Sequence, residues 1–92
     1  MLERVVDLQV ESNYRLRIRF SDGVTGIVDL SRRPKRGVFA PLQDPNFFAQ
    51  ARIDEFGAVC WPNGADLAPD AMHDELVKND GLWTVGAEFA AS

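Results

Sequence analysis

The chain reads as a single α+β domain: a three-stranded antiparallel meander, a short helix, a β-hairpin and a closing helix. Three stretches predict this. Residues 14–20 alternate strictly, with Tyr14, Leu16, Ile18 and Phe20 on one side and Arg15, Arg17 and Arg19 on the other, the period of a strand with one face on a core and one in water. Residues 53–61 repeat the pattern of an apolar run, a glycine-ended turn and a second apolar run. Residues 69–78 open on Pro69 and space Met72 and Leu76 four apart, as a helix with one apolar edge does.

In chain order, residues 5–10 form the first strand, with Val6, Leu8 and Val10 facing one way and Asp7 and Gln9 the other. Residues 14–20 are the second strand. Ser21-Asp22-Gly23 turns the chain, and the burial pattern decides the turn length. A two-residue loop would set Leu16 opposite Asp29 and bury a carboxylate. A three-residue loop with Gly23 left-handed pairs Phe20 with Val24, Ile18 with Gly26, Leu16 with Val28 and Tyr14 with Leu30, and places Arg15 beside Asp29 on the wet face. The three-residue loop is therefore expected.

Residues 31–37 are a basic loop broken by Pro34, and residues 38–42 an apolar anchor with one irregular helical turn. Asp44 caps a short helix over about residues 45–51, Pro45 takes its first position, and Phe47, Phe48 and Ala51 supply its buried side. In the second hairpin, Glu55-Phe56-Gly57 forms the same kind of loop, pairs Ile53 with Val59 and Ala51 with Trp61, and puts Cys60 on the face of Arg52. Pro62-Asn63-Gly64 is a turn by composition. The last helix ends near Lys78, with Met72, Leu76 and Val77 as its apolar edge. Residues 1–78 make the domain and residues 79–92 a tail. Leu82, Trp83, Val85 and Phe89 are much apolar surface for a free terminus, and the expectation is that this segment packs against a second copy of the chain.

Bulk properties narrow the function. Ninety-two residues are one small domain with a thin stability margin. The net charge of −4 argues against general nucleic-acid binding, which needs a basic footprint. One cysteine excludes an internal disulfide. Acidic residues enter too early for a secretory signal and no apolar run nears the roughly 20 residues of a membrane span, so a cytoplasmic location and no membrane partner are expected.

Candidate sites are few. Cys60 and His73 are single members of their types; as nucleophile and base they would need an oriented geometry, and the ordinary reading is a structural thiol and a surface histidine. Asp66, Asp70, Asp74 and Glu75 do not follow the alternating spacing of a calcium loop, and helix-terminus electrostatics accounts for two of them. No metal and no cofactor is expected. Seven of the ten basic residues fall in two groups: Arg15, Arg17 and Arg19 on the wet strand face, and Arg32, Arg33, Lys35 and Arg36 in the following loop. They are either a solvated face and loop or one local basic surface for an acidic partner or nucleic acid. Trp61 is read as a core anchor, and Asp66 as an acceptor for backbone amides of its loop or of the helix start.

At Phe20-Ser21-Asp22-Gly23, Val28-Asp29-Leu30, Gly37-Val38-Phe39 and Trp61-Pro62-Asn63-Gly64-Ala65-Asp66-Leu67, the chain resembles a bacterial family of small proteins, numbered 2442 among domains of unknown function. The resemblance runs over about residues 5–76 and keeps order and spacing. It implies the same mixed fold and brings no catalytic residues. Some similar proteins look like one half of a two-gene pair of the toxin–antitoxin kind. The resulting expectation is a non-enzymatic protein-interaction module, homo-oligomeric, partnering another small protein. A nucleic-acid-binding regulator using the two basic groups, and a small Cys/His enzyme, are the alternatives.

Overall fold

A computed structural model describes residues 3–32 and 37–85. The meander consists of β1 (Val5–Glu11), β2 (Arg15–Phe20) and β3 (Thr25–Asp29). A 3-10 helix (Gly37–Gln43) and α1 (Pro45–Phe48) cross to a second sheet of β4 (Arg52–Ile53), β5 (Val59–Cys60) and β6 (Asp66–Leu67); α2 (Pro69–Lys78) and β7 (Leu82–Thr84) follow. The first sheet has strand order β1-β2-β3-β7 and the second β4-β5-β6.

The β2–β3 register is the one the burial pattern requires. Leu16 faces Val28, Ile18 faces Gly26 and Arg15 faces Asp29. The Phe20 N–H donates to the Val24 carbonyl at 2.8 Å and the Gly23 N–H returns to Phe20 at 3.0 Å, closing a three-residue loop with Gly23 at φ 93°. Arg52 faces Cys60 and Ile53 faces Val59 around the Glu55-Phe56-Gly57 loop, also as expected. The same loop occurs a third time: Trp61 N–H donates to Ala65 and Gly64 N–H to Trp61 around Pro62-Asn63-Gly64, so this turn closes a hairpin onto β6.

Three expectations are corrected. Val5, not Val6, enters the core: Val5 is 2% and Val6 43% exposed. The cause is an irregularity between Val5 and Asp7, where one extra residue breaks the two-residue period. Val77 is exposed, since the stripe of α2 facing the sheet is narrow enough for Met72 and Leu76 to fill it. The helix after Pro45 is shorter than expected. Asp44 does cap it, its carboxylate accepting from the Asn46 amide, but Gln50 and Ala51 bond back to Phe47 and Phe48 in tighter turns that deliver the chain to β4.

Up to Val85, where the described residues end, the tail forms part of the domain. Leu82–Thr84 joins β3 in parallel, Ile27 beside Leu82 and Val28 beside Trp83, and Val85 is buried at 2% exposure. The second-copy expectation is thus corrected over these residues, which complete the chain's own sheet; Phe89 lies outside the described residues. Gly26 makes this docking possible. A Cβ there would lie 2.7 Å from both the Gly81 carbonyl oxygen and Leu76 Cδ2. Without one, the Ile27 N–H reaches Gly81 at 2.9 Å.

Leu16, Ile18, Phe20, Val28 and Leu30 of the meander share one core with Met72 and Leu76 of α2 and with Phe48, Val59, Trp61 and Leu67. Trp61 is buried, and its indole N–H donates to the Phe48 carbonyl at 3.0 Å. No described helix is long and apolar enough to cross a membrane.

Candidate interaction surface

The β2 arginines point into water, as their alternation requires, but each meets a carboxylate. Arg15 lies 3.6 Å from Asp29 and Arg17 2.9 Å from Glu11, while Arg19 holds Asp7 with two guanidinium nitrogens. The sheet face therefore carries three cations against three anions. Exposed pairs of this kind contribute little to stability, about 0–1 kcal/mol each. Their larger effect is to cancel the local field a polyanion would seek. Asp29 shows the balance: burial pushes its carboxyl up, yet the Ser31 hydroxyl and amide, then Arg15, outweigh it and leave it below its ordinary value. Arg32 is exposed; Arg33, Lys35 and Arg36 lie outside the described residues.

Cys60 and His73 serve different places. Cys60 is half-buried on β5 between Arg52 and Asp66 of the neighbouring strands. His73 is more enclosed than a surface histidine: its side chain is 19% exposed, its Nε2 sits 2.7 Å from Asp22 Oδ2, and its ring stands edge-on to Phe20. Asp66, expected to accept from amides of its loop or of the helix start, is exposed; within the loop, the Ala65 amide donates to the Asn63 side-chain oxygen at 3.2 Å. Among the described residues, no three His, Cys, Asp or Glu side chains assemble as a metal site.

The feature that the sequence reading passed over is Phe56. It is 73% exposed, the most open large apolar side chain among the described residues. Its loop is nonetheless firmly held. One Asp54 carboxylate oxygen accepts from the amides of Phe56 (2.8 Å) and Ala58 (3.0 Å). Asp54 and Ala58 close the hairpin, with the Gly57 N–H on the Asp54 carbonyl. From the first sheet, the Arg4 guanidinium donates to the Glu55 carbonyl at 2.8 Å and the Val5 N–H to that of Gly57 at 3.0 Å. The contact is close enough that a Cβ on Gly57 would fall 2.6 Å from Arg4 Cβ. An aromatic ring thus stands in water on a backbone tied to both sheets. The signal in the sequence was a phenylalanine in the middle of a tight turn, where solvating residues are the norm.

No curated protein and no solved structure matches the chain. A family model does, over residues 5–77, and its description is Protein of unknown function (DUF2442). The match takes in the meander, both loops that carry Asp22 and Phe56, and nearly all of α2, and by it the chain belongs to this family.

Proposed function

We propose that the domain is a non-enzymatic protein-interaction module of the bacterial cytoplasm, the accessory, antitoxin-like half of a pair of small proteins, and that it presents Phe56 to its partner. The observation that carries this reading is the exposure of the Phe56 ring on a loop fixed by six hydrogen bonds. Aromatic side chains dominate the energetics of protein interfaces, and a backbone already ordered before contact loses little entropy on binding. The ring offers a partner an apolar anchor with its conformational cost largely met in advance. The nucleic-acid reading has weaker support, because the three strand arginines already engage carboxylates.

The test is affinity capture of the tagged chain from its native cell, with nuclease treatment, comparing wild type and Phe56→Ser. An exposed substitution of this kind is expected to leave the unfolding free energy within about 0.5 kcal/mol of wild type. A hot-spot anchor is expected to cost at least about 2 kcal/mol of binding, roughly a 30-fold loss of affinity. A specific partner that the wild type retains and Phe56→Ser loses supports the proposal. Equal capture by both, or capture abolished by nuclease, overturns it.

A further inference from the structure

The ladder between β2 and β3 fixes which way β1 offers its main chain. Phe20 donates to Val24 and Leu30 donates to Tyr14, so the even-numbered residues of β2 bond β3. Main-chain groups alternate in an antiparallel ladder. Arg15, Arg17 and Arg19 therefore turn theirs to β1, where they face Glu11, Gln9 and Asp7. Leu8 and Val10 are left with N–H and C=O directed off the sheet, and among the described residues nothing bonds them. The rest of this edge is guarded: the irregularity at Val5–Asp7 twists its start, and Gly57 takes the Val5 N–H. Bulges and covers are the usual protections of an edge strand, and here they stop short of Leu8.

We infer that this opening docks a second copy of the chain, the two β1 strands running antiparallel about a two-fold axis at Gln9. In that register Leu8 faces Val10 of the second copy and Val10 faces its Leu8. Each copy offers two donors and two acceptors, and the pairing satisfies all of them in four hydrogen bonds with none left over. This closure favours a second copy over an unrelated strand, and it is isologous, so the assembly stops at a dimer. The half-buried Leu8 and Val10 side chains become neighbours across the axis, extending both cores. On the outer face, Gln9 meets Gln9, and Asp7 lies opposite Glu11 of the second copy. Like charges opposed across strands are costly, but Arg19 and Arg17 already neutralise these two. A register slipped to set Leu8 on Leu8 fails to match, because Val6 then falls opposite Val10 at the irregular part of the strand.

The inference is independent of Phe56 and is tested without any partner protein. Light scattering of the full chain is expected to give twice 10.3 kDa. The measurement belongs at about 100 μM, since a contact of this small size implies micromolar affinity at best. Val10→Pro removes a donor that the isolated chain does not use, and edge strands tolerate proline, so the mass is expected to halve with the circular dichroism unchanged. Should that variant unfold, two further readouts decide. In a Cys60→Ser background, Gln9→Cys is expected to crosslink to itself, since a non-bonded antiparallel pair sits about 4.5 Å apart, within disulfide reach, while Leu8→Cys does not. Amide exchange at Leu8 and Val10 is expected to slow as concentration rises. A monomer throughout, a dimer whose Leu8 and Val10 amides stay fast, or crosslinking at Leu8 instead of Gln9 overturns the inference.

Discussion

His73 Nε2 lies 2.7 Å from Asp22 Oδ2, which ties the first turns of α2 to the loop between β2 and β3. The imidazole stands nearly perpendicular to the Phe20 ring, with centroids 5.0 Å apart. The helix thereby clasps the hairpin by one polar and one aromatic contact, the polar one between residues 51 apart in sequence.

This clasp has a pH signature. The Asp22 carboxyl is held below its ordinary value, first by the Val24 amide at 3.0 Å and then by His73. A carboxyl whose folded pKa is depressed stabilises the fold fully above its unfolded value, about 3.9, and loses that contribution as pH falls through the folded value. Asp29 has the same sign. Urea midpoints are therefore expected to drop as pH is lowered from about 5 toward 2, and Asp22→Asn to flatten part of that slope. A slope identical to that of wild type would mean that the contact does not act on stability.

Trp61→Ala is expected to cost roughly 3–5 kcal/mol, the range for deleting a large aromatic from a packed core. Trp61 is 2% exposed and rests on Phe48, whose ring centroid is 5.8 Å away. Domains commonly hold only about 5–15 kcal/mol in all, so the variant is expected to sit at the edge of folding. Trp61→Phe keeps most of the ring but forfeits the indole bond to the Phe48 carbonyl, a loss of about 1 kcal/mol. Denaturant titration followed by circular dichroism measures both; a Trp61→Ala midpoint near wild type would contradict the packing.

Gly26→Ala is expected to loosen the C-terminal strand. The added methyl meets the Gly81 carbonyl oxygen, which belongs to backbone and cannot turn aside, and Leu76 Cδ2, which can. Overpacking of this kind costs typically about 1–3 kcal/mol. The sharper readout is hydrogen exchange at the Ile27 amide, which donates to Gly81. It is expected to accelerate more than the Phe20 amide of the adjoining hairpin, and equal rates would place the strain elsewhere.

The hairpins were legible because their determinants are local. In residues 14–30, one wrong step buries Asp29 and exposes the apolar set, and Gly23 supplies the backbone conformation the correct step needs. Asp44 and Pro45 likewise announced their helix within two residues. Val6 was misplaced because alternation assumes one residue per step, and an irregularity in the strand leaves no mark in the pattern. Phe56 was missed because periodicity ranks residues within elements and is silent on a ring at the tip of a turn. The Arg15–Asp29 pair was legible from the hairpin register, but Arg17 and Arg19 were not visible as ion pairs, since Glu11 and Asp7 come from the other neighbouring strand.

By itself, the sequence determined the α+β class, the hairpin registers, the cap of α1, the extent of α2 and the core role of Trp61. Each follows from side-chain period or turn chemistry acting over a few residues, or from a large apolar residue that has no favourable place in water. Tertiary structure alone decided that Leu82–Thr84 closes the sheet beside β3, that Arg17 and Arg19 are paired with carboxylates of β1, that His73 reaches Asp22 and that Phe56 stays in water. These depend on which distant segments approach one another. Approach is governed by steric fit, such as the missing Cβ at Gly26, and by carboxylates delivered from other strands, neither of which has a period that a linear sequence displays.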